Sequence, residues 1–303
     1  LNSITISFRI SLFCSNFAPY NPKCSLMKKL FFVPVGGLGN RMRAIASAVS
    51  LAQHRRLSVH VGWFQDWALN APFSSLFETP EIAGLKIEDV PGIFYLTLDR
   101  PRKKNLYLPR LFQHFLFDQC IYEEEMDQWY QKKTDFSTFP FKGEAVYMAT
   151  YQPFFPYERT LLTQLFQLNA PLRKRLDSRL QDFSAHTIGV HVRRTDNQAS
   201  IQQSPLELFF EAIDKELEAN AELSVFLATD SEAVKADMRK RYGKRILTAE
   251  AAADRNSVSG IQDGILDLYT LAGTRRIYGS FRSSFSELAA ELGNIPLTTV
   301  LKK

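Results

Sequence analysis

Cysteine is scarce in this chain, and the few that occur build nothing. Cys14, Cys24 and Cys120 in 303 residues are too few for a disulfide framework. The histidines (His54, His60, His114, His186 and His191) show no metal-ligand spacing, nor do the cysteines, so no metal site is expected. No Asp-x-Asp occurs anywhere, which removes the carboxylate pair that commonly carries a metal–nucleotide complex. A Gly-x-Ser-x-Gly elbow and a P-loop are also missing. No run reaches the roughly 18 apolar residues of a membrane span. Long Lys/Arg tracts and regular basic–aromatic interleaving are absent too, so nucleic acid is not an expected partner.

What is present is an ordinary globular composition, 45% hydrophobic and 23% charged. The length suits one large or two ordinary α/β domains. A net charge of +5 fits a polyanionic small ligand as well as a nucleic-acid backbone, and alone decides nothing. Residues 1–26 differ from the rest, being rich in Ser, Asn and Ile without a period, and Arg9 interrupts their apolar run. They are expected to be an extension or disordered tail ahead of a protein starting at Met27. The remainder carries one cysteine and no export signal, and a cytoplasmic location is expected.

From Met27 the pattern is strand (29–35), glycine turn, helix, strand (57–64). Met42, Ile45, Ala46, Val49 and Ala52 recur at helical spacing. Residues 65–143 alternate proline, aromatics and charge, and yield only a helix near 123–133. A strand and aromatic loop at 145–155 precede an expected long helix, 157–183, interrupted near Pro171. The second half reads more cleanly. Strands are expected at 187–193, 223–228, 245–247, 277–278 and 297–301. Helices are expected at 205–217, opened by Ser204, and at 232–242, 261–272 and 286–292. Strands alternating with helices imply βαβ units and a parallel sheet, with ligands beyond the strands' carboxyl ends.

Four segments at strand ends are candidates for binding. In Gly36-Gly37-Leu38-Gly39-Asn40-Arg41, glycines admit a ligand to the backbone, and the following helix start offers free N–H groups. The plain alternative is a tight turn needing glycine for geometry. As a dinucleotide fingerprint the segment is imperfect, since Met42 replaces the third glycine and no acid clearly ends the second strand. In His191-Val192-Arg193-Arg194-Thr195-Asp196, paired guanidiniums match phosphate geometry, each charged hydrogen bond contributing about 1.5–3 kcal/mol. An Arg194–Asp196 ion pair is the plain alternative. Asp230, followed by Ser231, is either a helix cap or a carboxylate for a purine N–H edge. Ser283, Ser284 and Phe285 open a helix, where Ser284 and Glu287 have capping-box spacing and the hydroxyls also suit a phosphate.

Taken in order, GGLGNRM (36–42), GVHVRRTDN (189–197), FLATDS (226–231) and DLYTLAGTRRIYGSFRSSFSELAAEL (267–292) resemble the fucosyltransferase superfamily of α1,6-, nodulation and protein O-fucosyltransferases. The resemblance covers the start of the first half and most of the second, and leaves residues 65–185 unmatched. It implies a GT-B-like α/β fold of two Rossmann-type domains facing a cleft, with 27–165 on the acceptor side and 166–303 binding the nucleotide sugar. It also implies inverting transfer, GDP-fucose as donor and no cofactor or metal; a glycan acceptor is expected beside it. By position, Arg193 resembles the arginine holding the donor β-phosphate, and His191 and Asp230 the guanine contacts. Ser283 and Ser284 resemble the serines near the diphosphate, and Gly39 and Asn40 the facing turn. Gly37, Arg41, Arg194 and Phe285 complete the expected donor set. Two departures matter: Asn197 stands where the α1,6 enzymes have lysine, and Gln198-Ala199-Ser200-Ile201 lacks their glutamate. The acceptor and the catalytic base are therefore not carried over, and Asp66, just after the second strand, is the expected base, with Asp196 as the other candidate. A two-domain NAD(P)-dependent oxidoreductase and a non-catalytic GDP-sugar-binding module remain as alternatives, and peripheral membrane contact stays open.

Overall fold

The computed structural model of the chain describes residues 28–194, 198–249 and 257–302. Strand β1 (Lys29–Pro34) is apolar on both faces: Leu30 and Phe32 enter one buried cluster, Phe31 and Val33 another. Burial on both faces marks a central parallel strand. Gly36, with φ 87°, supplies the left-handed residue that turns the chain into helix α1 (Leu38–Arg55). The stripe Met42, Ile45, Ala46, Val49 and Ala52 is buried as its spacing requires. Strands β2 (Ser58–Trp63), β3 (Leu85–Asp89), β4 (Gln119–Ile121) and β5 (Ala145–Thr150) complete a parallel sheet of order β3-β2-β1-β5-β4. Helices α2 (Leu108–Leu116) and α3 (Glu123–Gln131) flank β4 in the chain.

The expected helix over 157–183 is two helices, α4 (Arg159–Leu165) and α5 (Ala170–Leu180). Asn169 makes the break by accepting the Leu172 N–H, and Pro171 sits in the first turn, where its missing donor costs nothing. The second sheet follows with β6 (Thr187–Val192), α6 (Gln198–Gln203), α7 (Leu206–Ala219), β7 (Ser224–Thr229) and α8 (Glu232–Tyr242). It ends with β8 (Ile246–Thr248), α9 (Val258–Ala272), β9 (Ile277–Ser280), α10 (Ser284–Gly293) and β10 (Leu297–Val300). The order is β10-β9-β6-β7-β8, again parallel throughout. Ser204 does not cap α7, because Pro205 takes that position. Its hydroxyl instead donates to the Val300 carbonyl and accepts the Phe281 N–H.

Both sheets reverse direction at their middle strand. In the first, β2 lies on one side of β1 and β5 on the other; in the second, β7 and β9 flank β6. Each reversal opens a crevice at the strands' carboxyl ends, between β1 and β5 and between β6 and β9. One buried cluster runs through both halves. It joins Leu30, Ile45 and Met148 of the first sheet layer to Phe226, Ile265, Leu271 and Leu288 of the second. Polar ties cross at the same place: Arg43 of α1 meets Glu287 at 2.9 Å and Glu291 at 3.2 Å on α10, and Arg159 donates to the Leu292 carbonyl. Among the described residues, no helix is long and apolar enough to cross a membrane.

The contact of α9 with α10 is close enough to test. Gly293, the last residue of α10, lies against the end of α9, and a Cβ there would stand 2.2 Å from the Ala272 carbonyl oxygen. Helix propensity alone favours alanine over glycine. Gly293→Ala should nonetheless lower the melting temperature by several degrees, since overpacking costs about 1–3 kcal/mol and each kcal/mol is about 2–4 °C at this size. A raised melting temperature in a circular-dichroism melt would show that the helices do not meet there.

Candidate active site

Contacts around the two crevices link all four expected segments, and α1 and α10 meet between the sheets. Gly37 precedes α1 as its N-cap residue, and Asn40 folds back until its amide nitrogen is 3.2 Å from where a Gly36 Cβ would be. Gly39 faces the other half: a Cβ on it would stand 3.7 Å from the Ser284 carbonyl oxygen, 3.9 Å from the Ser284 hydroxyl and 3.5 Å from Leu288. The amino ends of α1 and α10 therefore converge, each presenting unsatisfied N–H groups and a positive dipole end.

On the second sheet, alternation along β6 puts Ile188, Val190 and Val192 in one core and turns His191 to the face covered by α10. There the imidazole is buried, its Nδ1 lies 3.2 Å from the Ser283 hydroxyl, and its ring packs on Phe285 at 4.9 Å between centroids. Burial first, and the Arg193 charge second, hold its pKa down at about 4, so the ring is neutral at ordinary pH. Arg193 leaves the end of β6 half-buried, with its backbone N–H donated to the Ser280 hydroxyl at 3.0 Å. Ser280 in turn donates to the His191 carbonyl, stitching the ends of β6 and β9. Asp230, at the end of β7, accepts the Arg194 N–H at 2.8 Å, while the following Ser231 caps α8.

Several expectations need correction. Arg41 does not enter the cleft. Only 1% exposed, it donates to the Gly36 and Phe64 carbonyls, pairs with Asp66 at 3.0 Å and stacks over Trp63 at 5.0 Å. Arg194 is likewise turned into its own domain, its guanidinium donating to the Arg193 and Ser204 carbonyls. The capping box on α10 does not form: Ser283 is the N-cap residue, without a side-chain cap, and Glu287 pairs with Arg43. Asp66 has an arrangement that suits an anchor better than a base. Its side chain is 6% exposed, meets Arg41, Arg100 and Arg102 within 3.6 Å, and accepts the Ala68 and Leu69 N–H groups. A carboxylate so filled with donors has no lone pair turned to an acceptor. Asp196 lies outside the described residues, together with Thr195 and Asn197.

One cluster went unread in the sequence. Tyr151 follows β5 and abuts the glycine turn, its Cβ 3.7 Å from where a Gly36 Cβ would be. Gln152 donates to the Tyr151 hydroxyl at 3.2 Å and to the Asp127 carboxylate on α3, bridging the two side chains. The signal was present: residues after a parallel strand beside the reversal point are site candidates by topology. Among the described residues, no group of three or more His, Cys, Asp or Glu side chains could hold a metal ion.

Two parallel-sheet domains with their reversal crevices set against each other form a GT-B fold. No protein-family profile matches the chain, and no curated protein matches it by sequence. Solved structures do. The fucosyltransferase NodZ from Bradyrhizobium matches with a TM-score of 0.60 and 19% identity, over 88% of this chain and 92% of that one. NodZ alpha-1,6-fucosyltransferase soaked with GDP-fucose gives 0.59 at the same identity and coverage. POFUT1 in complex with GDP-fucose gives 0.55 and 11% identity, over 90% of this chain and 98% of that one. At these identities the likeness is one of fold.

Two outcomes are expected from this geometry. Asp66→Asn leaves the buried Arg41 charge without its partner and should cost about 3 kcal/mol or more, read as a lower urea midpoint. Wild-type stability with lost activity would return Asp66 to the role of base. For His191 the unfolded ring takes a proton near pH 6.5 and the folded ring only near 4. The unfolded state thus binds more protons between these values, and stability, full above 6.5, falls by about 3 kcal/mol as pH drops toward 4. His60, also held near 4 by burial and by Lys86, adds its own share. His191→Gln should lose less stability than wild type between about pH 7 and about pH 4.5. Equal losses in urea melts would show that His191 does not drive this dependence.

Proposed function

We propose that the chain is an inverting, metal-independent glycosyltransferase that moves fucose from GDP-fucose to a glycan acceptor. The observation that carries this reading is the convergence of two helix amino ends, at Gly39 and Ser284, beside Arg193 and between two facing crevices. Such a place suits a diphosphate: helix N–H groups face one spot from both domains, and Arg193 at the end of β6 would add a guanidinium fork. The fold's solved neighbours, NodZ and POFUT1, were captured with GDP-fucose, which supports the choice of donor.

In this reading Arg193 holds the β-phosphate, and Ser283, Ser284 and the α10 N–H groups hold the rest of the diphosphate. Gly37, Gly39 and Asn40 close over it from the first domain. His191, neutral and oriented by Ser283 and Phe285, and Asp230 line the guanosine side. Arg41 and Arg194 act at one remove, fixing the glycine turn and the β6 loop. An acceptor hydroxyl attacks the anomeric carbon as the bond to the β-phosphate oxygen breaks. In this reading Arg193 and the helix ends stabilise the charge that GDP gains, and preorganised charge of this kind is usually the largest catalytic contribution. The acceptor proton is assigned to the Asp127 carboxylate, which Gln152 holds and links to Tyr151 beside the glycine turn. The oxidoreductase alternative has no structural support of its own, because the carboxylate after β2 is consumed by three arginines.

Calorimetric titration with GDP and with NADH should give binding only for GDP, and transfer from GDP-fucose should survive a chelator. Arg193→Lys, which replaces a fork by a point charge, should reduce transfer about 10²-fold or more. Asp127→Asn should slow transfer about 10²-fold with GDP affinity unchanged. Transfer that needs a metal, or an Arg193→Lys variant at full rate, would defeat this assignment. An unaffected Asp127→Asn variant would remove only the base.

A further inference from the structure

Helix α2 is built inside out. Leu108, Leu111, Phe112 and Phe115 recur at i, i+3, i+4 and i+7 and so share one face, and all four are exposed, Leu111 at 60% and Phe115 at 79%. The residues this helix buries are Pro109 and Gln113, the latter donating its amide to the Asp99 carbonyl at 2.8 Å. A soluble helix of this amphipathicity ordinarily turns its apolar stripe to the core. Here a polar side chain pins the helix and the stripe points to water.

The surroundings continue the pattern. Leu106, 76% exposed, and Tyr107 lead into the helix, and Ile93 and Leu96 are also exposed. Trp67, 72% exposed, stands one residue past Asp66, which Arg102 grips at 3.4 Å. Residues 101–117 hold Arg102, Lys103, Lys104 and Arg110 and no Asp or Glu. Arg102 is engaged by Asp66 and Asp99, and Arg110 by Glu124 at 3.4 Å, while Lys103 and Lys104 are exposed at the entrance to the apolar face. Apolar and aromatic side chains on one face, with cations at its border, match the boundary between acyl chains and anionic headgroups.

We infer that the face formed by Leu106–Phe115 is a membrane-docking surface, with the apolar side chains entering the headgroup boundary of an anionic phospholipid bilayer and Lys103 and Lys104 lying on its phosphates. A short amphipathic helix holds a bilayer weakly by itself, and cations supply the second attraction that reversible anchoring needs. The surface is tied to the cleft through Arg102, Asp66 and Arg41, which reaches the Gly36 carbonyl. The glycine turn is thereby held in fixed relation to the bilayer. This places the acceptor-side domain against the membrane, where a lipid-borne acceptor would be met.

The test uses the full chain without nucleotide, so its outcome is independent of the transferase reading. The chain is sedimented alone, with phosphatidylcholine vesicles, and with vesicles of equal parts phosphatidylcholine and phosphatidylglycerol. Only the last should carry it down. Leu111→Asp with Phe115→Asp should abolish this binding. Lys103→Gln with Lys104→Gln should weaken it about tenfold or more, each cation contributing about a factor of five. Both pairs of exposed positions should keep the wild-type melting temperature. Absence of binding to the mixed vesicles, or wild-type binding by the aspartate variant, would overturn the inference. So would a dimer in solution that the aspartate variant converts to monomer, which would assign the face to a second copy of the chain.

Discussion

The close approach of Gly39 to Ser284 is the constraint on which the cleft depends. A Cβ on Gly39 would just touch Leu288 and Ser284, at 3.5 to 3.9 Å, so a side chain longer than a methyl group would press the two helix ends apart. The approach leaves two sets of unsatisfied N–H groups facing a common space, a state that water or an anion must resolve. The remaining architecture holds these ends in place. Arg41 ties the glycine turn to the end of β2, Arg43 ties α1 to α10, and Ser280 ties β6 to β9.

Two of the most polar features of the site are therefore structural supports. Asp66 and Arg41 form a buried ion pair extended by Arg100 and Arg102, an arrangement in which each charge depends on its neighbours for solvation. Arg194 performs a similar task on the other side by bracing the Arg193 and Ser204 carbonyls. Arg193, which leaves the end of β6, is the arginine of the expected donor set on which the proposed function relies.

How much of this was legible in the sequence varied along the chain for physical reasons. Most of the second half was readable because β6 and β7 are apolar runs and its longer helices carry periodic stripes, whereas α6, with one buried serine and no stripe, escaped notice. The first half hid β3 and β4, which are short, only partly buried and end in Glu, Asp or a single apolar residue. Helix α2 hid itself differently, since its stripe faces away from the core. The order of the site segments was legible, because strand ends and glycine turns announce themselves. The direction of individual side chains was not. Arg193 and Arg194 are neighbours in sequence, but nothing local says which of them turns inward. Arg41 follows Asn40 directly yet belongs to the floor of its own domain. Asp127 and Tyr151 are distant in sequence and are linked through Gln152 only because α3 crosses between the neighbouring strands β4 and β5.

The buried cluster that runs through both halves also bears on how the chain acquires its structure. Tyr269 of α9 reaches the Phe166 carbonyl, Gln262 reaches Ser75, and α10 packs its Leu288 against the layer under β1. A ribosome that has released only the first sheet has made a body with one flank bare, since the helices that cover it are encoded after it. The nascent first half must then wait, exposed and prone to stick, until residues beyond about 290 have emerged from the exit tunnel. The same late segment that completes the cleft completes the core, so an incompletely synthesised chain lacks both its cover and one wall of its site.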